Sequence, residues 1–415
     1  MEEPLQPTQN RKRITLALCI LTYVMAYLCR LNFSSAVLKI GADFGAGTAT
    51  MGTVGALFFI AYALGQLING FIGDTVSPVR FLIIATLGTG MMNLLMFFAD
   101  RIWLIALIWV MNGYFQSIFW AACNRILSYY YGAGEHHVIS MGMSLSMVAS
   151  YLLSWVVLGK LLLTATWQSY FLIPALVAAV VLALWFCFGR LEKSVAATIR
   201  KAVPPDRRTL GAVVRGEGLW LICFSCLFVG IIKEGIGLWA PVIFLSVLGN
   251  DIDQSLLLLV LIPLGNFGGI LLTGELLKRL TRIADCLLIP LMGVIALLAV
   301  GILLLKNISP YGAVFLTAAI SGLVMGCNSI LMSYLPLSYA SQNIVSSLIG
   351  IFDSCAYVGA AISGYVLGIF LDHSHWQIIP LFWLIAALGG ACFVALRRRI
   401  LCRREQRTGE GSQGG

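Results

Sequence analysis

Hydrophobic residues in this chain run in long blocks that are separated by short polar intervals. A membrane-spanning helix needs ~20 apolar residues to cover roughly 30 Å of hydrocarbon, and twelve blocks are that long. The blocks lie at 14–38, 51–73, 81–99, 102–124, 138–163, 167–189, 218–247, 254–275, 286–305, 309–335, 344–371 and 377–397. The pattern predicts an all-α integral membrane protein with twelve transmembrane helices.

The longest internal polar interval, 190–217, is basic and contains Pro204-Pro205, and it divides the twelve blocks six and six. Such an interval is typical of a linker between two bundles. The predicted organisation is therefore a cytoplasmic amino terminus (1–13), a six-helix bundle (14–189), a cytoplasmic linker (190–217), a second six-helix bundle (218–397) and a cytoplasmic tail (398–415).

Internal repetition supports this division. Arg30 in the first block and Lys233 in the seventh are 203 residues apart, and Gly70 and Gly274 are 204 apart. Nearly equal offsets at two landmarks indicate duplicated six-helix units, that is, two pseudo-symmetric bundles. In transporters built from repeats, the substrate site lies between the repeats near the middle of the membrane.

Composition and charge placement exclude other classes. The chain is 60% hydrophobic and only 11% charged, which leaves too little polar surface for a soluble domain. With the amino terminus inside, 21 of the 27 Lys and Arg residues fall in inner segments and 4 in outer loops. The positive-inside rule then predicts that both termini are cytoplasmic in the cell membrane. The net charge of +9 thus reports topology and does not indicate nucleic-acid binding.

Two cations lie inside predicted spans, where a charge is costly unless something compensates it. Arg30 shares a helical face with Tyr23, Tyr27 and Ser34, which suits a hydrated cavity that binds an anion. The alternative is that Arg30 extends outward to the membrane surface. Lys233 is nearer the middle of its span, where such an extension cannot easily reach water.

Two acids also lie inside spans, and they leave two interpretations open. Glu234 and Asp353 could neutralise Arg30 and Lys233 as structural ion pairs. Alternatively, a carboxylate in a low-dielectric site can exchange a proton as access alternates. Because adjacent residues point about 100° apart on a helix, Lys233 and Glu234 are not expected to face the same cavity directly.

Polar stripes on other spans are candidates for substrate contact or for interhelical hydrogen bonds. Their spacings of three and four place each stripe on one helix face. The stripes comprise Tyr62, Gln66 and Asn69 on the second span, Asn112, Gln116, Trp120 and Asn124 on the fourth, and single positions that include Tyr151, Asn266 and Asn328.

Several segments resemble a known family. "GFIGDTVSPVR", residues 70–80, resembles the signature between the second and third spans of the major facilitator superfamily. "YVMAYLCRLNFSSA", "AYALGQLINGFIGDTVSPVRF", "GYFQSIFWAACNRILSYYY" and "GIIKEGIGLWAPVIF" together resemble the organophosphate:phosphate antiporter family, which includes glycerol-3-phosphate and hexose-phosphate transporters and a sensor of hexose phosphate.

The resemblance implies roles for particular residues. Arg30 and Lys233 align with the basic pair that binds phosphate across the central cavity, and Gly70, Asp74 and Arg80 align with a conformational latch. Thr75 stands where the signature has a basic residue, Gln66 where the family has a lysine, and Met147 where it has a histidine. Asp353 is a further departure, and it suggests proton coupling instead of, or beside, phosphate exchange.

The sequence therefore predicts a secondary transporter, working as a monomer, that moves a small organic anion, such as an organophosphate, by alternating access. The candidate substrate-binding residues are Arg30, Lys233, Tyr27, Tyr23, Tyr62, Gln66, Gln116, Trp120 and Asn328, with Asp353 and Glu234 as proton-coupling candidates. No cofactor, metal or enzymatic activity is expected. The alternatives are a proton-coupled exporter of amphipathic or cationic compounds and an anion sensor that does not transport.

Overall fold

Twelve helical segments cross the molecule in the computed structural model. The model describes residues 9–73, 76–131, 136–161, 163–189, 207–279, 287–305, 309–339, 344–373 and 375–411. We number the segments α1–α12. The first six are α1 (Gln9–Phe44), α2 (Thr48–Gly73), α3 (Pro78–Phe97), α4 (Ile102–Gln116 and Phe119–Tyr130), α5 (His136–Tyr151, Leu152–Leu158 and Gly159–Leu161) and α6 (Ser169–Phe188). The second six are α7 (Leu219–Val247), α8 (Ile252–Leu258 and Leu261–Arg279), α9 (Leu288–Leu305), α10 (Pro310–Ser329, Ile330–Tyr334 and Leu335–Leu337), α11 (Val345–Asp372) and α12 (Ile379–Gly411).

These segments match the twelve predicted blocks. Within the described residues, eleven helices are long and apolar enough to span a membrane, and α5 contributes a shorter apolar helix, Leu145–Leu158. A short helix, Arg207–Gly216, lies in the carboxyl-terminal part of the predicted linker. Residues 190–206 of that linker are outside the described residues.

Two helices extend further than hydropathy predicts. α1 begins at Gln9 and runs to Phe44, and α12 continues through the basic segment to Gly411, most of which is assigned above to a tail. Hydropathy detects only the part of a helix that lies in hydrocarbon, whereas Arg, Leu and Glu in these extensions are themselves good helix formers.

Apolar side chains cover the outside of the bundle as well as its interior. Leu297 and Leu304 of α9 are 71% and 70% exposed, and Trp103 of α4 is 61% exposed. Water does not tolerate such a surface, but a lipid bilayer does. The twelve-span arrangement and the apolar exterior together establish a multi-span membrane protein.

The two halves contact each other along two helix pairs, and these contacts locate the candidate site. α2 packs antiparallel to α11, since Thr48 contacts Gly368 and Gln66 contacts Asp353. α1 runs parallel to α7 where the two helices meet. Ser34 Oγ donates a 2.6 Å hydrogen bond to the Leu238 carbonyl, which lies 204 residues later in the chain. Arg30 contacts Glu234, again 204 residues later. The same offset separates Gly70 from Gly274, so α1 and α7 meet in register at equivalent positions of the two repeats.

Two segments of π-helix interrupt the regular helices near these crossings. In α5, Leu152–Leu158 follows Tyr151 directly, and in α10, Ile330–Tyr334 begins two residues after Asn328. Such bulges widen the helix locally and are frequent at functional sites. Both bulges here adjoin a side chain of the central cluster described below.

Candidate functional site

Glu234 lies at the centre of a buried charge cluster between the two halves. Its side chain is 5% exposed, and its Oε2 accepts a hydrogen bond from Arg30 Nη2. Its other oxygen, Oε1, lies 3.0 Å from Lys233 Nζ. That ammonium approaches as an ion-pair partner without hydrogen-bond alignment, so Oε1 accepts no hydrogen bond. One carboxylate therefore bridges a cation of each half.

This bridge corrects the expectation that Lys233 and Glu234 would not face the same cavity. Their Cα–Cβ directions differ because they are consecutive on α7. The lysine stem is long enough, however, to bring Nζ back within 3.0 Å of the Glu234 carboxylate. The Cα–Cβ direction of Lys233 therefore did not determine the position of its ammonium group.

Arg30 points into the molecule and not towards the membrane surface. Its Nη1 donates a 3.0 Å hydrogen bond to the Tyr357 hydroxyl of α11. Five aromatic rings have their centroids 5.3–5.7 Å from its Cζ, namely those of Tyr27, Phe58, Phe59, Tyr62 and Tyr357. Such rings attract a cation electrostatically, more strongly where water is excluded. The guanidinium is thus compensated by one carboxylate, one phenol and a cage of rings.

Lys233 contacts polar residues of the carboxyl-terminal half, to which it also belongs. Its Nζ lies 3.2 Å from Asn328 Oδ1 on α10 and 5.8 Å from the centroid of the Tyr357 ring. Tyr357 therefore lies beside both cations. A ligand that replaced the carboxylate of Glu234 would meet Arg30, Lys233 and the Tyr357 hydroxyl together.

Asp353 forms the second acidic position of the cluster, one helical turn before Tyr357. It is 9% exposed, and its Oδ2 accepts a 2.5 Å hydrogen bond from Gln66 Nε2 of α2. The Tyr62 ring, also on α2, packs against the Tyr357 ring with 3.9 Å between centroids. Gln66 and Tyr62 thus reach the cluster from the amino-terminal half.

Aromatic side chains line the neighbouring surface of α1. The Tyr23 ring lies 5.2 Å from that of Tyr27 and 5.5 Å from that of Trp120. The Tyr27 ring lies 5.9 Å from that of Tyr151 on α5. Tyr23, Tyr27 and Trp120 are therefore placed together beside the charge cluster.

Gln116 is turned towards the backbone of α1. Its Nε2 donates a 2.9 Å hydrogen bond to the Ala26 carbonyl, and Asn112 Nδ2 donates a 3.0 Å bond to the Cys29 carbonyl. Both amides brace α4 against α1, as interhelical polar residues commonly do. A substrate role for Gln116 stays a prediction.

Two of the proposed latch residues, Gly70 and Arg80, lie near the end of α2 and in the first turn of α3. Gly70 is on an exposed face of α2, with no atom within 4 Å of the position that a Cβ would take. Arg80 is exposed in the first turn of α3, and Asp74 is outside the described residues. The latch therefore stays a prediction.

Phe58, Phe59 and Tyr357 belong to the cluster but were not among the predicted substrate contacts, whereas Tyr151 was one of the candidate polar positions. Tyr357 follows Asp353 by four residues, which is a helical signal for one shared face. Phe59 likewise precedes Tyr62 by three residues. An aromatic in an apolar span ordinarily faces lipid or packs in the core, so these spacings alone did not mark the rings as substrate contacts.

The space beside the cluster is small in this conformation. A cavity of about 20 Å³ is lined by Arg30, Ser34, Glu234 and several apolar neighbours. That volume is close to what one water needs, whereas small-molecule sites have roughly 300–1,000 Å³. An organic solute therefore needs a more open arrangement of the two halves to enter.

At one end of the bundle the halves are tightly closed. We define the closed end by Thr48 and Gly52 of α2 and Gly364, Gly368 and Asp372 of α11. Thr48 Oγ1 donates a 2.9 Å hydrogen bond to the Gly368 carbonyl. A Cβ at Gly52 would lie 2.5 Å from the Gly364 carbonyl oxygen, so only glycine permits this approach.

A membrane protein whose two six-helix halves enclose a buried charged site has the architecture of a secondary transporter. The family comparison agrees, because residues 19–364 match the model of the Major Facilitator Superfamily. The chain belongs to this superfamily.

Individual relatives are more distant. The chain is 24% identical over 376 residues to the membrane sensor protein UhpC of Escherichia coli K12, covering 86% of this chain and 85% of the relative. It is 23% identical over 388 residues to the glycerol-3-phosphate transporter of Bacillus subtilis 168, covering 86% and 85%. Among solved structures, the nucleoside transporter NupG superposes with a TM-score of 0.69 at 14% identity, over 95% of this chain and 99% of that one.

Proposed function

We propose that this protein transports a small organic anion by alternating access, with Arg30 and Lys233 holding the anionic group. One observation carries the proposal. Arg30 of the first half and Lys233 of the second approach the same carboxylate and the same Tyr357 ring in a buried position between the halves.

The chemistry of this position suits an oxyanion. A guanidinium presents paired N–H donors to two oxygens, an ammonium adds a compact positive charge, and a phenol donates one further hydrogen bond. The carboxylate of Glu234 occupies the place between the cations, where the phosphate, sulfonate or carboxylate of a substrate would bind.

Organophosphates are the proposed substrate class, supported by the similarity to the glycerol-3-phosphate transporter. Gln66 stands at the cluster where the resemblance implies a lysine, and it already donates to Asp353. The pocket therefore offers less positive charge than that family pattern implies. We expect a substrate preference that differs from glycerol-3-phosphate.

Alternating access is supported by the glycine contact and the hydrogen bond that close one end of the bundle over the charge cluster. The basic residues favour a protein with both termini in the cytoplasm, working as a monomer in the cell membrane. In that orientation the closed end faces outside. A substrate bound between the cations would neutralise one charge of each half and let the halves close over it.

Transport by reconstituted protein tests this function. Purified protein in vesicles should exchange external and internal glycerol-3-phosphate or a related organic anion, and Arg30→Ala or Lys233→Ala should weaken anion binding roughly 10- to 100-fold, the loss of one charged hydrogen bond. Arg101→Ala and Lys278→Ala are matched controls, because Arg101 is exposed and the Lys278 side chain is 78% exposed. Normal transport by both cluster variants would contradict the proposal.

An anion sensor is the second candidate, because the chain resembles the UhpC membrane sensor over 86% of its length. A sensor would bind the anion through the same two cations without moving it. Anion-dependent thermal stabilisation without exchange in vesicles would favour the sensor. A proton-coupled exporter of cations would instead respond to lipophilic cations and depend on Glu234 and Asp353.

A further inference from the structure

We infer that Glu234 is a tethered counter-anion that the substrate must displace, so that anion binding is coupled to proton uptake by Glu234 and Asp353, with one proton for each negative charge bound. This inference rests on the proposed anion site. It makes the protein a proton–anion symporter instead of an exchanger.

The inference begins from the charge balance of the cluster. Arg30 and Lys233 contribute two positive charges, and Glu234 and Asp353 contribute two negative charges. Arg30, Glu234 and Asp353 are buried, and the Lys233 side chain is only 11% exposed. Without substrate, the site is therefore neutral. An anion added to it would leave an uncompensated charge in the membrane interior, where each one is costly.

The groups that face the two carboxylates come from every helix packed around them. They supply the two cations already counted and otherwise neutral phenols, an amide and a thiol. Glu234 is faced by Arg30, Lys233, Tyr27, Tyr151, Tyr357 and Asp353. Asp353 is faced by Gln66, Tyr62, Tyr23, Tyr357, Arg30, Lys233, Glu234 and Cys226. Within this described surround, protonation of the acids is the available way to balance a bound anion.

Glu234 accepts that proton as the substrate displaces it, because Arg30 and Lys233 favour its ionised form while they remain in contact with it. Its Oε1 is buried and accepts no hydrogen bond, although Lys233 Nζ lies 3.0 Å away. A proton from the aqueous side forms an O–H bond at this carboxylate and removes its charge. The substrate's oxygens take over the contacts to Arg30 and Lys233, and the proton removes the charge that the displaced carboxylate would otherwise leave uncompensated.

The return step explains why a counter-substrate is unnecessary. When the anion leaves on the other side, Glu234 and Asp353 release their protons to water, and the carboxylate of Glu234 again bridges Arg30 and Lys233. A site with two cations and no acid must carry an anion in both directions to remain neutral. The present site is neutral when it returns without one, so a pH gradient can drive net uptake.

Proton uptake during binding tests the inference. Titration calorimetry of the purified full-length protein, repeated in buffers with different ionisation enthalpies, counts the protons taken up. The probes are inorganic phosphate, glycerol-3-phosphate and sulfoacetate. Sulfoacetate is the decisive probe, because phosphates have a second pKa near 6 and can take up protons themselves, whereas sulfoacetate is a fixed dianion near neutral pH.

We expect about two protons per sulfoacetate, as charge balance for a buried dianion requires. Glu234→Gln and Asp353→Asn should each take up one proton fewer. Glu275→Gln is the matched control, because the Glu275 side chain is 51% exposed and pairs with the exposed Lys278 and Arg279. If only phosphates bind, the test is the difference in proton uptake between the wild type and Glu234→Gln, because any proton taken up by the ligand itself is common to both proteins. If Glu234→Gln does not fold, Asp353→Asn gives the same comparison.

Vesicle transport provides the second readout. An imposed gradient, acidic outside, should stimulate net uptake by the wild type and by Glu275→Gln. Glu234→Gln should lose this stimulation, because its empty site keeps a net positive charge and cannot return without an anion. Anion binding without proton uptake, with transport that requires an internal anion, would overturn the inference and leave the proposed anion transporter intact. If no probe binds to the wild type, the proposed function itself fails, and the inference fails with it.

Discussion

Gln66 of α2 donates a 2.5 Å hydrogen bond to Asp353 of α11, and this bond connects the two halves of the protein beside the charge cluster. One turn earlier on α2, the Ala63 carbonyl accepts a 3.1 Å hydrogen bond from Ser354 Oγ of α11. Both bonds must break if α2 and α11 separate here. The seam between α2 and α11 is thus held partly by polar contacts that a conformational change can exchange.

The first prediction concerns this pair. Gln66→Ala leaves the buried Asp353 carboxylate without its hydrogen-bond donor, which costs about 1–3 kcal/mol for a group that stays buried. The double variant Gln66→Ala, Asp353→Ala removes both partners and should be less destabilised than the sum of the single variants. Thermal unfolding in detergent of the wild type, the two single variants and the double variant measures this coupling. Strictly additive shifts would show that the bond contributes nothing.

The second prediction concerns the closed end. Gly52→Val places a branched side chain where even a Cβ would lie 2.5 Å from the Gly364 carbonyl oxygen. Because helix approach here requires glycine, the variant should be unable to close this end. We expect anion exchange in vesicles to be lost while anion binding, measured by thermal shift, is retained.

Gly350→Ala is the matched control on α11. No atom lies within 4 Å of the position that its Cβ would occupy. Alanine in a helix interior is more favourable than glycine by roughly 0.5–1 kcal/mol, so this variant should fold and transport normally. If Gly52→Val also exchanged anions at the wild-type rate, the closed end would not be part of the transport cycle.

The fold was largely predictable from the sequence. Each apolar block corresponds to a helix, because the bilayer leaves a backbone few other ways to satisfy its hydrogen bonds. α5 shows where hydropathy was insufficient. The block at 138–163 matches a helix from His136 to Leu161, but nothing in "LLSWVVL" indicates that Leu152–Leu158 winds as a π-helix. Tertiary packing decides such local rewinding.

The charged residues of the site were predictable from the sequence, but the contacts between them were not. Arg30, Lys233, Glu234 and Asp353 were identifiable because charges inside apolar spans are rare and costly. The partner of each charge depended on side-chain conformation and on how the halves meet. An offset of 203 pairs Arg30 with Lys233, whereas the contacts observed between α1 and α7 follow 204 and pair Arg30 with Glu234. A one-residue difference in register decided which group neutralises the arginine.

The third prediction separates bracing from substrate binding within the first half. Asn112→Ala removes the 3.0 Å hydrogen bond to the Cys29 carbonyl of α1. Because this amide is fully buried against α1, the variant should unfold at a lower temperature, by the equivalent of about 1 kcal/mol for one lost hydrogen bond. Anion affinity should not change.

Asn124→Ala is the control for that variant, since Asn124 Nδ2 donates to the Trp120 carbonyl of its own helix. Its unfolding temperature should stay close to that of the wild type. A loss of anion affinity in Asn112→Ala without a loss of stability would instead place Asn112 in the substrate site.

The fourth prediction is that the two cations are not equally replaceable. Arg30 uses two nitrogens at once, Nη1 for the Tyr357 hydroxyl and Nη2 for Glu234, and a lysine has no fork with which to reach both. Arg30→Lys should therefore weaken anion binding by about tenfold or more, as expected for the loss of one charged hydrogen bond. Lys233 acts as a single point charge beside Asn328 and Glu234, so Lys233→Arg should retain most of the affinity. Calorimetric titration with glycerol-3-phosphate and sulfoacetate measures both variants. Equal losses in the two would show that the substrate meets Arg30 as a simple charge, and the geometry of the guanidinium would then have no part in recognition.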